Sequence, residues 1–399
     1  MSNRQPKEEF PWDLGVFDAH CHPTDTLSSI PGIRGMRAKC LTIMATRAED
    51  QPLVAKAADE LGIAADLATS SWPESLGQVR PGVVPSFGWH PWFSHQVFVD
   101  DGRGDGRSAL QEDAKVDHYR SVLTAQGNET LDRDFCLKLP DPRPLSEFIA
   151  ETRDYLKRYP HALVGEVGLD KSFRLPEAWL PHEHASRDET LTPGGREGRK
   201  LSPHKVQVEH QKRVLKAQLQ LAGEMQRAVS VHGVQAHGIV FETLQETWRG
   251  HERRVQSRRE RKRRGSAPNA HSGEEPATNA SKAKEALPKP YPPRVCLHSY
   301  SGPPEAVKQY TNPAVPAEIY FSFSAVINFS SSGASKTEQA IKVVPDNMIL
   351  VESDLHTAGL QMDEKLEEMA RKICDLRGWN LRDGIIQLRE NWKRFVFGS

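Results

Sequence analysis

Short apolar runs alternate with amphipathic stretches along most of this chain of 399 residues. The apolar runs predict eight strands, at 17–22, 39–45, 83–88, 162–170, 228–232, 295–298, 319–326 and 348–354. Between and after them, apolar positions at helical spacing predict helices at 47–61, 145–159, 202–226, 237–249, 303–310, 336–343, 362–376 and 381–395. This alternation is typical of βαβ units, so we expect an α/β fold with a parallel sheet.

Eight strand–helix units indicate a closed (β/α)8 TIM barrel, in which functional residues lie at the C-terminal ends of the strands. A doubly wound open sheet is the competing architecture, and the position of the polar residues favours the barrel. We expect one barrel domain over 1–399 with polar insertions at about 100–134, 171–201 and 250–293. Their Gly-, Pro-, Ser- and charge-rich composition predicts loops or disorder.

Composition excludes few classes of function. Lysine plus arginine number 53 and aspartate plus glutamate number 53, so the zero net charge indicates no global attraction to nucleic acid or membrane. The five cysteines are scattered and form no Cys-x-x-Cys pair, which is typical of thiols in a reducing compartment. Without an apolar run long enough to cross a bilayer or a secretory signal, we expect a soluble intracellular protein with no membrane partner, cytoplasmic and/or nuclear.

Residues able to bind metal or transfer protons end most of the predicted strands. His20 and His22 are two residues apart, so a strand would project both from one face. The other strand ends carry His90, Glu166, His232, His298 and Asp354. A lone histidine is more often a structural residue, but repeated placement at strand ends would require repeated coincidence. In a barrel these side chains would meet at one mouth.

The same strand ends carry longer motifs, in the order Asp18-Ala19-His20-Cys21-His22, Gly88-Trp89-His90-Pro91, Gly165-Glu166-Val167-Gly168-Leu169-Asp170, Val231-His232, Leu297-His298-Ser299-Tyr300-Ser301-Gly302 and Glu352-Ser353-Asp354. This series resembles the successive motifs of TatD-type metal-dependent hydrolases, the amidohydrolase-like TatD DNase family. The ending from Asn391 to Phe397 is similar to that family's Asn-x-x-x-x-Phe. The polar insertions resemble those of a fungal branch described as interacting with a subunit of the anaphase-promoting complex.

The resemblance implies a centre of two divalent metal ions. One ion would be held by His20, His22 and Asp354, and the other by His232 and His298. Glu166 would bridge the two ions, and Asp354 would also orient or deprotonate the attacking water. His90 would lie on the substrate side. The mixed nitrogen and oxygen donors suit Zn, Mn or, less well, Mg.

Two positions depart from the family pattern. Val234 stands where the family usually has arginine, and Lys171 stands where it usually has an aromatic residue after Gly-Leu-Asp. An arginine could clamp a phosphate in bidentate fashion, so its loss weakens the expectation of phosphodiester specificity while leaving the ligand set intact.

Three functions follow as alternatives. The first is a metal-dependent phosphodiesterase or deoxyribonuclease with DNA as substrate. The second is a protein-interaction factor with weak or no catalysis, and the third is an amide or ester hydrolase. The basic run at 253–264 is either a solvated segment or a nuclear-localisation or nucleic-acid-contacting tail.

Overall fold

The computed structural model describes residues 8–63, 72, 74–100, 109–124, 131–179, 187–255, 290–330 and 333–398. Within these ranges, eight parallel strands form one sheet whose spatial order follows the order of the chain. The strands are β1 (Phe17–Cys21), β2 (Cys40–Met44), β3 (Gly82–Phe87), β4 (Leu163–Asp170), β5 (Val229–Val234), β6 (Arg294–Leu297), β7 (Glu318–Phe323) and β8 (Ile349–Val351).

The sheet curves until its first and last strands meet. Just beyond the two strands, the His22 N–H donates to the Leu355 carbonyl at 2.8 Å, and the Asp354 N–H donates to the His20 carbonyl at 3.0 Å. A doubly wound sheet would place β1 in the interior of the strand order, whereas here β1 lies beside β8. The predicted TIM barrel is therefore confirmed, in a nearly closed form.

Helices follow most strands and cover the outside of the barrel. The described residues form α1 (Gln51–Leu61), α2 (Glu112–Val122), α3 (Arg133–Lys138), α4 (Leu145–Arg158), α5 (Val208–Glu224), α6 (His237–Trp248), α7 (Pro304–Tyr310), α8 (Ala325–Phe329), α9 (Ala334–Val343), α10 (Leu360–Arg377) and α11 (Leu381–Phe397). Helix α5 begins later than the predicted position 202, because Lys205–Val206 pairs in antiparallel fashion with Leu123–Thr124. Ala325, predicted within a strand, starts α8, where the Ser324 hydroxyl caps the helix by accepting from the Ile327 N–H.

The barrel interior changes from apolar to polar along its axis. Apolar side chains near the strand starts form one buried cluster, closed from below by Trp392 and Phe395 of α11. The rings of Phe17 and Trp392 stack with centroids 4.6 Å apart. This packed floor leaves the buried polar side chains at the C-terminal half of the strands, where the mouth of a TIM barrel lies.

The insertion at 100–134 contains more structure than the loops predicted for it. Helix α2 buries Val116, Tyr119 and Val122 against Cys136 of α3 and Val206. Charged residues separate these few apolar positions in the sequence, so their shared helical face is weak as a pattern. Packing against the rest of the chain makes the helix stable.

The other two insertions also make contacts at their described parts. Leu191 forms an isolated bridge with Thr26, which docks the second insertion beside the loop that follows β1. In the third, Tyr291 is buried and the Arg253 N–H donates to the Ala314 carbonyl. Residues 256–289, which carry most of the predicted disorder and of the basic run, lie outside the described residues. In the described part of the chain, none of the helices combines the length and apolar character that crossing a membrane requires.

Candidate metal centre

The structure brings all seven predicted site residues together at the barrel mouth. They come from six strands or the residues directly after them, namely His20, His22, His90, Glu166, His232, His298 and Asp354. All are buried except Asp354, whose side chain is 12% exposed. Convergence at one pocket agrees with the position of these residues at strand ends. Their individual roles as metal ligands stay a prediction.

Glu166 lies at the middle of this group, and its two carboxylate oxygens face different histidines. Oε1 lies 2.7 Å from His298 Nε2 and 2.9 Å from His232 Nδ1. Oε2 lies 3.3 Å from His22 Nε2 and 3.4 Å from His20 Nε2. One buried carboxylate therefore joins two groups of ring nitrogens.

His20, His22 and Asp354 form the first group together with Glu166 Oε2. The two Nε2 atoms lie 3.1 Å apart, and Asp354 Oδ1 lies 3.5 Å from His22 Nε2 and 3.9 Å from His20 Nε2. An ion bound at about 2.0–2.1 Å holds neighbouring ligand atoms roughly 3.0–3.4 Å apart. Most of the observed separations lie close to that range, so this donor set fits a divalent metal ion.

The second group consists of His232 and His298 with Glu166 Oε1. His232 Nδ1 lies 3.2 Å from His298 Nε2, so the three donor atoms surround one small volume. This group has a single carboxylate, shared with the first group, whereas the first group adds Asp354. The donor set of the second group also fits a divalent ion, with positions left for water or substrate.

Hydrogen bonds behind the rings leave the nitrogens at the centre free to bind. His20 Nδ1 lies 2.8 Å from the Ser230 hydroxyl, which can accept its proton, and His232 Nε2 donates to Asp170 Oδ2 at 3.1 Å. A ring that donates in this way carries on its opposite nitrogen the lone pair that a metal ion needs. Ser230 and Asp170 thus position the two ligands without contacting the centre themselves.

His90 is oriented in the opposite way, although its ring also lies near Glu166 and His232. Its Nδ1 accepts a hydrogen bond from the Trp92 N–H at 3.1 Å, so the proton of the neutral ring is on Nε2. That Nε2–H points to Glu166 Oε1 at 3.1 Å. His90 is therefore a hydrogen-bond donor to Glu166 in the neutral ring, although His90, Glu166 and His232 also lie close enough together to hold an ion, and its substrate-side role stays a prediction.

Two residues at the mouth, Ser299 and Asp354, have an unusual backbone conformation. Asp354 has φ of 53° and Ser299 has φ of 39°, a left-handed region that costs a residue with a side chain about 1–3 kcal/mol. Hydrogen bonds hold both residues there. Ser299 Oγ donates to Glu352 Oε1 at 2.6 Å and also lies 3.2 Å from Asp354 Oδ2, while Ser353 N–H donates to Asp18 Oδ1 at 3.0 Å.

The carboxylates favour positive charge in the pocket. Burial would raise the pKa of Glu166, but His90, His298 and His20 around it hold that pKa well below the usual value. Burial alone would lower the pKa of His22, yet hydrogen bonds to Asp354 and Glu166 raise it well above the usual value. Protons and metal ions would compete for the same nitrogens.

Sequence reasoning assigned no role to four residues that support the centre, namely Asp18, Asp170, Ser230 and Glu352. Three of them lie inside the quoted motifs, in Asp-x-His-x-His, Gly-Leu-Asp and Glu-Ser-Asp. Motif membership was a usable signal for these three. Ser230 carried no such signal, since its contact with His20 joins two strands that are distant in sequence.

The chain matches the family model described as TatD related DNase over residues 17–397, nearly its whole length. It belongs to the TatD-related DNase family. The resemblance drawn from the motifs is thus confirmed. Membership of this family also supports the general expectation of a hydrolase.

Two curated TatD relatives match over almost the full chain. The Cut9-interacting protein scn1 of Schizosaccharomyces pombe is 37% identical, with 96% of this chain and 98% of that protein covered. The uncharacterized deoxyribonuclease YMR262W of Saccharomyces cerevisiae is 25% identical, with 96% and 99% covered. A solved hydrolase of the TatD family from Entamoeba histolytica has the same fold, with TM-score 0.50, 10% identity, and 96% of this chain and 99% of that chain covered.

Proposed function

We propose that this TatD-family hydrolase is a divalent-metal-dependent phosphodiesterase that cleaves DNA. The observation that carries the proposal is Glu166, whose two oxygens face two separate groups of histidine nitrogens. A bridging carboxylate of this kind is what a pair of neighbouring divalent ions requires. Zn or Mn fits the imidazole-rich donor set better than Mg, which prefers oxygen ligands.

The side chains around the site have different proposed roles in the reaction. Bound ions would supply an activated water and positive charge for the developing negative charge on phosphate oxygens. Asp354 is the proposed ligand with the most exposed side chain, so it is placed to take the proton of the attacking water. His90 would lie on the substrate side and, through its Nε2–H, hold Glu166 Oε1 in place.

One relative supports nucleic acid as the substrate class, since the Saccharomyces cerevisiae protein is named as an uncharacterized deoxyribonuclease. Val234 cannot clamp a phosphate as an arginine would, and it ends β5 beside Asp170 of β4. Lys171, which follows Asp170, is exposed at the same rim and offers a point charge for phosphate instead. We therefore expect weaker positioning of the phosphate and a modest rate.

The test combines metal analysis with a nuclease assay. Purified protein is stripped of metal, reloaded with Zn, Mn or Mg, and assayed on single-stranded and double-stranded DNA. We expect up to two ions per chain and cleavage that depends on the added ion, with no cleavage by a matched Glu166→Gln preparation. Equal background cleavage by both proteins under every metal would refute the phosphodiesterase. Assays on a panel of amide and ester substrates would then test the alternative of an amide or ester hydrolase.

A second candidate function is that of a protein partner, and the name of the 37% identical relative favours it. On this reading the barrel binds a subunit of the anaphase-promoting complex, with little or no catalysis. Affinity of the purified subunit for the wild-type chain and for Glu166→Gln decides between the two. Binding that survives the substitution, in a protein without nuclease activity, supports the partner role.

Location in the cytoplasm or the nucleus is part of the proposal. The five cysteines are all free in the structure, as is typical of proteins in reducing compartments. The basic run at 253–264 would serve as the nuclear address. Microscopy of a fluorescent fusion, with and without this run, tests the assignment.

A further inference from the structure

An aromatic pair lies at the rim of the candidate metal centre, and none of the roles above uses it. The rings of Trp92 and Phe173 stack with centroids 4.6 Å apart and planes 11° from parallel. We call this pair the aromatic ledge. Trp92 is 36% exposed, which makes it the one aromatic residue among the exposed large apolar side chains that the structure describes.

The ledge is rigid. Trp92 Nε1 donates to Asp170 Oδ2 at 2.7 Å, and the same carboxylate accepts from His232 of the second ligand group. The Phe173 N–H donates to the other oxygen of Asp170 at 2.9 Å, while the Phe173 ring packs against the cluster around α2. Both rings are therefore held in place before any ligand arrives, and binding to them costs little conformational entropy.

The ledge is also close to the reacting position. The Trp92 ring lies 4.7 Å from the His90 ring and 6.1 Å from the His232 ring, measured between centroids. One sugar separates a nucleobase from its own phosphate, so a phosphate at the metal centre leaves the base near Trp92. Exposed Lys171 and half-buried Lys205, whose Nζ donates to the Lys171 carbonyl at 3.0 Å, add positive charge beside the ledge.

We propose that the aromatic ledge stacks the nucleobase of the nucleotide whose phosphate is cleaved. Stacking on a fixed aromatic face tolerates every base, because each base has a π-face. A paired base inside a duplex offers no such face, so the ledge selects single-stranded or frayed ends. This inference rests on the proposed phosphodiesterase function and adds the two side chains that would hold the base.

A binding experiment tests the ledge without turnover. The affinities of 2′-deoxyadenosine 5′-phosphate and of 2-deoxyribose 5-phosphate are measured by calorimetry on protein reloaded with Zn, whose ions would hold the phosphate. In the wild type we expect the base to improve the affinity about tenfold. Trp92→Leu should reduce that ratio to near one, and Trp92→Phe should retain most of it because a ring remains.

Trp379→Leu is the matched control, since Trp379 is half-buried beyond the C-terminal end of α10, about 27 Å along that helix from its mouth-side start. It should keep the wild-type ratio. If Trp92→Leu does not fold, Phe173→Leu removes the supporting ring and should also lower the ratio. Equal affinities of the two ligands for the wild type, or a ratio that survives Trp92→Leu, would overturn the ledge.

A cleavage experiment separates this inference from the proposed function. Oligonucleotides with a normal or an abasic nucleotide at the cleaved position are compared by kcat/KM, in single strands and in blunt duplexes. We expect the normal single strand to be preferred about tenfold in the wild type and the preference to shrink in Trp92→Leu. Absence of all cleavage would refute the phosphodiesterase alone, because the calorimetric ratio still decides the ledge.

Discussion

Two clusters of buried histidines lie in this protein, and they differ in what surrounds them. The mouth cluster, around Glu166, consists of His20, His22, His90, His232 and His298. The outer cluster lies where the segment Pro91–Gln96 meets α2 and α5, and it consists of His95, His118 and His210. The histidines of both clusters are buried, so burial alone does not distinguish the clusters.

The hydrogen bonds of the outer cluster indicate a structural role. His118 Nε2 donates to the His95 carbonyl and His210 Nε2 donates to the Ser94 carbonyl, each at 2.8 Å. Burial, together with repulsion from His118, lowers the pKa of His95 to about 3, and burial lowers the pKa of His118 to about 4. These rings stay neutral and tie the first insertion to the barrel.

The mouth cluster has carboxylates where the outer cluster has carbonyls. Burial would lower the pKa of His298, but Glu166 raises it well above the usual value. The buried carboxylates, and not the histidines alone, distinguish the mouth cluster from the outer cluster. The difference predicts that metal binds at the mouth and not at the outer cluster.

Glu166→Gln should have the largest effect, because it removes the one charge that both ligand groups share. We expect both ions to be lost and metal-dependent cleavage to fall by at least about a hundredfold. Metal content by mass spectrometry and nuclease assay measure these effects. His118→Gln is the control from the outer cluster, and a loss of metal in that variant would break the comparison.

Asp354→Asn should follow in size. It keeps the shape and one oxygen ligand but removes the charge that orients and deprotonates the water, so cleavage should fall roughly a hundredfold. Folding should persist, since the residue lies at the mouth above the packed floor. The assay requires saturating Mn and, separately, Zn, so that weaker binding is distinguished from lost chemistry. If Asp354→Asn cleaved DNA at the wild-type rate with both metals, Asp354 would be excluded as the base.

Asp170→Asn should have an intermediate effect limited to the second ligand group. Asn can no longer accept from both the His232 ring and Trp92 with a full charge, so the affinity for the second ion should drop about 10–100-fold. Titration with Zn should then show one tight and one weakened equivalent. Ser230→Ala is the matched variant for the first group, and equal weakening of both equivalents in Asp170→Asn would contradict this division.

Acid pH should destabilise the fold through the outer cluster, apart from the competition between protons and metal ions at the mouth. The folded-state pKa values of His95 and His118 lie below the unfolded value of 6.5, so the unfolded chain binds more protons between those limits. Stability is fully present above about pH 6.5 and falls as the pH drops towards 4, by about 1.4 kcal/mol per pH unit for each group. Urea unfolding should show a shallower slope for His118→Gln, which keeps an N–H donor; an unchanged slope would assign the effect elsewhere.

The strands and the mouth residues could be predicted from the sequence because each depends on local pattern. Short apolar runs marked β2 and β3, and His20, His22 or His298 ended such runs. The outer cluster could not be predicted, since His95, His118 and His210 come from a loop, an insertion and a helix whose meeting depends on tertiary packing. Helix α2 was missed for the same reason, as its apolar face becomes visible only against Val206.

The role of His90 shows what single residues cannot tell. Its type and position suited a ligand as well as a substrate contact, and the sequence resemblance alone placed it on the substrate side. The Trp92 N–H at Nδ1 puts the proton of the neutral ring on the nitrogen that faces the pocket, so the structure adds a donor role towards Glu166. A backbone hydrogen bond of this kind leaves no trace in residue spacing.

The contact between β1 and β8, which closes the barrel, has a consequence for the order of folding. Asp18 and Ser353, joined by a hydrogen bond there, are 335 positions apart in the chain. Closing so long a loop is slow and entropically costly, and it must precede any site that takes ligands from both strands. An ion bound by both His20 and Asp354 would link the two strands that close the barrel. Binding of that ion would therefore report that the whole barrel has closed.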